Sequence, residues 1–126
     1  MADDELPKVE LDQFRARTTR DGGTIQISMT GTADSDTKPA LDELFARIHE
    51  VSVASYIRTV VVDLRALEFM NSSSLKAFLT WFRTLRDGAA PSYKVELRTS
   101  PDVYWQRRSI QALVAFAPDH VTQLDR

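Results

Sequence analysis

The sequence predicts a single α/β (α+β) domain, a mixed central β-sheet with helices packed on it, in the order β-β-α-β-α-β-α-β. Three observations lead there. From Ile25 onward, segments of strand periodicity alternate with segments of helical periodicity, as when helices feed a chain back into one sheet. Thr59-Val60-Val61-Val62-Asp63-Leu64 is a short β-branched run, too apolar for an exposed strand, and reads as a central one. Asp21-Gly22-Gly23 is a strong turn signal that folds its flanks into a hairpin.

The elements follow in order. Residues 1–8 read as a solvated tail ending near Pro7, and the domain proper as residues 9–126. Between Val9 and Arg20 the apolar residues Leu11, Phe14 and Ala16 do not fully alternate, so one strand is expected there without firm bounds. Beyond the turn, Ile25, Ile27 and Met29 alternate with Gln26, Ser28 and Thr30, the period of a half-buried strand. Gly31 to Pro39 carries turn and cap residues. Leu41, Leu44, Phe45, Ile48 and Val51 then recur at helical spacing.

After the valine-rich strand, Leu75, Phe78, Leu79, Phe82 and Leu85 mark a second amphipathic helix from about Ser72 to Asp87. Asp87-Gly88 and Pro91 end it. Tyr93, Val95 and Leu97 alternate as a further strand. Ser100-Pro101-Asp102 opens a third helix with Val103, Ile110, Leu113 and Val114 on its apolar side, and His120 to Leu124 leave room for a last strand.

Composition excludes several classes. A length of 126 residues fits one domain and one core, and 43% hydrophobic with 27% charged residues is a globular composition. With 16 basic against 18 acidic residues, no global field favours nucleic acid or an anionic membrane. The absence of cysteine rules out disulfides, thiolate catalysis and cysteine-ligated zinc. The acidic start Met1-Ala2-Asp3-Asp4-Glu5 lacks an apolar signal core, and no run is long enough to span a membrane, so a cytoplasmic protein without membrane insertion is expected. His49 and His120 stand apart without metal-ligand spacing and are expected at the surface. Trp81 and Trp105 are expected in the core. No cofactor motif is present.

The candidate site is Asn71-Ser72-Ser73-Ser74 with Lys76, at the start of the second helix. Asn and Ser cap helices well, because a side-chain oxygen accepts from an otherwise unpaired backbone N–H. The same free N–H groups and the helix dipole favour an anion, so a phosphate on one of these hydroxyls is locally tolerated and adds about two negative charges to the surface. By helical angle Ser74 falls on the side of Trp81 and Leu85, Ser73 on the polar side, and Ser72 at the solvent-facing cap. Lys76 lies with Thr80 and Arg83 on the polar side. Asp34 and Thr37 in the preceding loop are either local turn and capping groups or part of the same face, since strand-to-helix loops at one end of a sheet converge. Ser73 and Lys76 also fit S-x-x-K, but the companion S-D-N and K-T-G elements are missing, so no catalytic residue is assigned.

The run Asp63-Leu64-Arg65-Ala66-Leu67-Glu68-Phe69-Met70-Asn71-Ser72-Ser73-Ser74-Leu75 resembles the signature of the STAS domain of bacterial anti-sigma factor antagonists, roughly D-L-s-x-v-x-F-i-D-S-S-G-L. Gly31-Thr32-Ala33-Asp34-Ser35-Asp36-Thr37 with Leu41 resembles that family's G-x-L-D-x-x-T-a-x-x-L. The resemblance implies a non-catalytic switch in transcription regulation. Its phosphoacceptor would be Ser72, with Ser73 next, and Asp34 would be the supporting loop carboxylate. The implied partners are a serine kinase and anti-sigma factor of the histidine-kinase-like ATPase fold and a PPM-type serine phosphatase. Asn71 replaces the family's usual Asp, and Ser74 its usual Gly. Stressosome scaffolds and lipid-transport subunits share the fold, and the alternative they imply is a constant interface that is never phosphorylated.

Overall fold

In the computed structural model, which describes residues 6–88 and 93–125, the elements are β1 (Val9–Glu10), β2 (Phe14–Asp21), β3 (Thr24–Ala33), α1 (Lys38–Ala54), β4 (Thr59–Met70), α2 (Ser72–Asp87), β5 (Lys94–Thr99), α3 (Gln106–Phe116) and β6 (Val121–Asp125). The six strands form one sheet in sequence order. β1, β2 and β3 pair antiparallel, and β3, β4, β5 and β6 pair parallel, so the sheet is mixed as expected.

Two element boundaries differ from expectation. The ambiguous stretch from Val9 resolves into two strands, because Leu11 N–H donates to Phe14 O at 2.8 Å and closes a turn between them. The third helix starts at Gln106, not near Ser100, because Gln106 is buried and its side chain is used to fasten the loop: Oε1 accepts from Ser100 N (2.9 Å) and Nε2 donates to Leu64 O (2.5 Å). β4 outruns β5, whose register with it ends at Asp63–Arg98. The carbonyls left over on β4 are served by Gln106 and by Trp105, whose indole donates to Leu67 O at 3.1 Å. Unserved, each would be an unpaired acceptor at a covered position.

Three parallel crossovers that step one strand at a time in one direction place α1, α2 and α3 side by side on one face when each is right-handed. α1 packs on α2 and α2 on α3. Ile25, Ile27, Val60, Val62, Leu64, Val95 and Leu97 are fully buried toward the helices. The alternate residues Gln26, Ser28, Val61, Asp63, Glu96 and Arg98 are only half-buried on the open face. β4 is therefore interior to the sheet, as expected, but covered on one side only. On that open face Arg65 pairs with Asp63 at 2.8 Å; this hydrogen bond leads the effects that hold the Asp63 carboxyl below its usual range.

Between α1 and α2, Phe45 stacks on Trp81 at 4.5 Å and tilts against Phe78 at 4.7 Å. Trp81 Nε1 donates to Tyr93 Oη (2.7 Å), which leaves the tyrosine hydroxyl to donate to His49 Nδ1 (2.8 Å). His49 and His120, expected at the surface, are both half-buried. Trp81 lies in the core, while Trp105 is half-buried at its margin. Leu6, placed in the tail by the sequence, is partly buried against the core; residues 1–5 and the helix-stopping Pro91 lie outside the described residues.

Partial burial depresses the His49 pKa from 6.5 and outweighs the opposing pull of Glu50. The unfolded chain thus takes up the proton first. The His49 contribution to stability is present above the ordinary histidine pKa and is lost as pH falls through it toward the lower folded value. Thermal melts across about pH 7.5 to 5.5 are expected to show a decline that His49→Gln reduces. An identical decline in that variant would assign the effect elsewhere.

Candidate functional site

Three loops meet at the C-terminal end of β4. The strand feeds directly into α2 through Asn71, which has extended backbone and serves as the helix cap: Oδ1 accepts from Ser74 N at 3.0 Å. Asn71 N–H donates to Ala33 O at 2.9 Å, which binds the cap to the end of β3. Its amide Nδ2 donates to Ser35 Oγ at 3.1 Å, and Ser35 Oγ donates in turn to Ser73 Oγ at 3.4 Å. An aspartate at this position could cap the helix, but it could not donate to Ser35.

Asp34 organises the adjoining loop. Thr37 Oγ1 accepts from Asp34 N (3.1 Å) and donates to Asp34 Oδ1 (3.2 Å), while Asp36 N donates to the same carboxylate oxygen (3.0 Å). Gln13 Nε2, from the turn between β1 and β2, lies 3.3 Å from Asp34 Oδ2 and 3.4 Å from Oδ1. Ser74 Oγ donates to Asp34 O at 2.7 Å, which clamps the loop onto the helix. A buried bond of this type contributes about 1 kcal/mol.

The structure thus links Asp34, Thr37, Asn71, Ser73 and Ser74 by hydrogen bonds, with Ser72 at the helix start and Lys76 one turn further along α2, and it sorts them by exposure. Thr37 and Ser74 are fully buried. Their expected place on a partner-facing surface is corrected, since both hydroxyls are turned inward onto Asp34. Asp34, Asn71 and Ser73 are half-exposed, and Ser72 and Lys76 are exposed. Ser72 Oγ has no hydrogen-bond partner among the described residues. With Ser74 N taken by Asn71 Oδ1 and Leu75 N by Asn71 O, the N–H groups of Ser72 and Ser73 are the ones left unpaired there. Ser73 Oγ is held by Ser35, and it makes no bond with Lys76 of the kind an S-x-x-K nucleophile uses.

Sequence reasoning missed Ser35 and Gln13 as site residues. Ser35 was legible in principle, since it lies between Asp34 and Asp36 in the quoted loop motif. Gln13 was not, because its position depends on how the Val9–Arg20 stretch divides. Among the described residues no cluster of His, Asp and Glu could hold a metal, and no helix is long and apolar enough to cross a membrane.

No protein-family model matches the chain, and neither does any curated protein. Solved structures do. An anti-sigma factor antagonist from Mycobacterium paratuberculosis superposes with a TM-score of 0.64 at 20% identity, over 85% of this chain and 85% of that one. The anti-sigma factor antagonist SpoIIAA in its unphosphorylated form gives 0.61 at 22% identity, over 86% and 87%. The Bacillus cell fate determinant SpoIIAA in its phosphorylated form gives 0.56 at 17% identity, over 86% and 90%. The chain has the fold of these antagonists, the STAS fold that its two motifs resemble.

Proposed function

We propose that the chain is a phosphorylation-switched protein–protein interaction module of the anti-sigma factor antagonist kind. The observation that carries the proposal is the sorting of the three serines: Ser72 is exposed with a free hydroxyl, Ser73 is half-exposed and bonded to Ser35, and Ser74 is buried. An enzyme can reach the first without disturbing the fold. A phosphate on Ser72 would sit beside the unpaired N–H groups of Ser72 and Ser73 and be favoured by the positive helix end. The fold supports this reading, since two of its structural neighbours are phosphorylated and unphosphorylated forms of one antagonist.

In this reading the unphosphorylated face of Asp34, Asn71, Ser72, Ser73 and Lys76 binds a serine kinase and anti-sigma factor of the histidine-kinase-like ATPase fold. Phosphorylation repels it, and a PPM-type phosphatase restores binding. The module acts in the cytoplasm. The test compares Ser72→Ala with Ser72→Glu against the kinase partner by calorimetry. Ser72→Ala is expected to bind constitutively, and Ser72→Glu to bind at least about tenfold more weakly, a loss of about 1.4 kcal/mol. Both variants are expected to melt within a few degrees of the parent. Equal affinities would favour the constant interface of a scaffold or transport subunit instead.

A further inference from the structure

A second region of the molecule carries features that neither the core nor the serine face uses. At the far end of β4, the C-terminus of α1 closes with Ile57 N donating to Ser52 O at 2.9 Å, which places Tyr56 in a left-handed backbone conformation with φ of 56°. That position suits glycine, because a Cβ there crowds the following carbonyl. Tyr56 is the one non-glycine residue with positive φ among the described residues, and its side chain gains nothing in burial to offset the strain: it is 79% exposed. Val53, one helical turn earlier, is also exposed.

Two residues on from Tyr56, Arg58 reaches the β2–β3 hairpin turn, where Arg20 also bonds. Arg58 N donates to Gly23 O at 2.8 Å, and the Arg58 guanidinium lies over Gly23 so closely that a Cβ there would be 3.1 Å from Nε. Arg20 Nε donates to Gly22 O, in the same turn, at 3.1 Å. Neither guanidinium forms an ion pair among the described residues, although Asp21 lies in the same turn.

We propose that this end, formed by Val53, Tyr56, Arg20 and Arg58, is a second docking surface that binds an acidic segment of a partner protein bearing an apolar side chain. A strained and exposed aromatic residue is the kind of feature retained where a surface works, and aromatic and arginine side chains are the usual anchors of protein interfaces. Two unpaired guanidiniums call for carboxylates. A protein segment fits better than nucleic acid, since the patch holds two arginines and the chain has a net charge of -2. β4 spans 12 residues, so the two ends are roughly 35 Å apart at about 3.3 Å per residue. The second surface is therefore open whether or not Ser72 carries a phosphate.

The test is an NMR titration of the isotope-labelled protein with a short synthetic peptide of alternating Glu and Leu. A peptide with Lys in place of Glu and a short single-stranded oligonucleotide serve as comparisons. Shifts are expected at Gly22, Gly23, Tyr56 and Arg58 with the acidic peptide alone. Arg58→Gln and Tyr56→Gly are each expected to weaken binding about tenfold. Tyr56→Gly relieves the backbone strain and is expected to melt a few degrees higher, so its loss of binding cannot be unfolding. Ser72→Glu is expected to leave the titration unchanged, which separates this surface from the switch. Absence of shifts at this end, equal shifts with the lysine peptide, or tighter binding of the oligonucleotide would each overturn the proposal.

Discussion

Phe78→Ala is expected to lower the stability of the domain by about 3 to 5 kcal/mol in chemical denaturation, a large share of what a domain of this size possesses. Phe78 is fully buried, and its ring lies 4.7 Å from Phe45 and 6.0 Å from Phe82, at the seam where α2 meets α1. The same seam holds the Phe45–Trp81 stack, so neighbouring rings have little freedom to collapse into the space. Leu79→Ala, at a half-buried position of the same helix, is expected to cost less. A loss below roughly 0.5 kcal/mol for Phe78→Ala would mean that the helix packs by a different face.

Gly31→Ala is the other substitution expected to be severe. Gly31 has φ of 92°, and a Cβ built there would lie 2.1 Å from the carbonyl oxygen of Gln13. That oxygen belongs to backbone and accepts from Thr32 N at 2.7 Å, so it cannot rotate aside. Strain of about 1 to 2 kcal/mol from the conformation adds to the cost of displacing the turn, and a total of about 3 kcal/mol or more is expected. Gly22→Ala provides the comparison, since its φ is also positive but nothing lies within 4 Å of the added carbon. Similar losses at the two glycines would show that the Gln13 contact does not matter. Because Gln13 also reaches Asp34, Gly31→Ala is expected to loosen the serine face along with the fold.

What could be read from the sequence depended on whether a residue's role is set by its neighbours in the chain. Val60 and Val62 of the valine run, and Ile25, Ile27 and Met29 of the alternating run, report on one strand each, and all five are buried as those patterns imply. The placement of Ser72, Ser73 and Ser74 around the helix followed from a local angle, and the gradient from exposed to buried runs as that angle requires. Ser35 and Gln13 enter the site through contacts across 38 and 21 positions, which no periodicity encodes. Gln106 misled for the same reason: its amide is spent on β4 carbonyls 42 and 39 positions away, and the chain before it stays out of helix. Val61 misled differently. A β-branched residue is at home on the pleated surface of a strand even where no second layer covers it.

Ser72 is proposed as the residue that a kinase modifies. Incubation with the partner serine kinase and ATP, followed by phosphopeptide mapping by mass spectrometry, tests it most directly. One phosphate is expected, on Ser72, abolished by Ser72→Ala and unaffected by Ser73→Ala. Phosphate found on Ser73 or Ser74 alone would contradict it, as would the absence of any phosphate together with normal partner binding by Ser72→Glu.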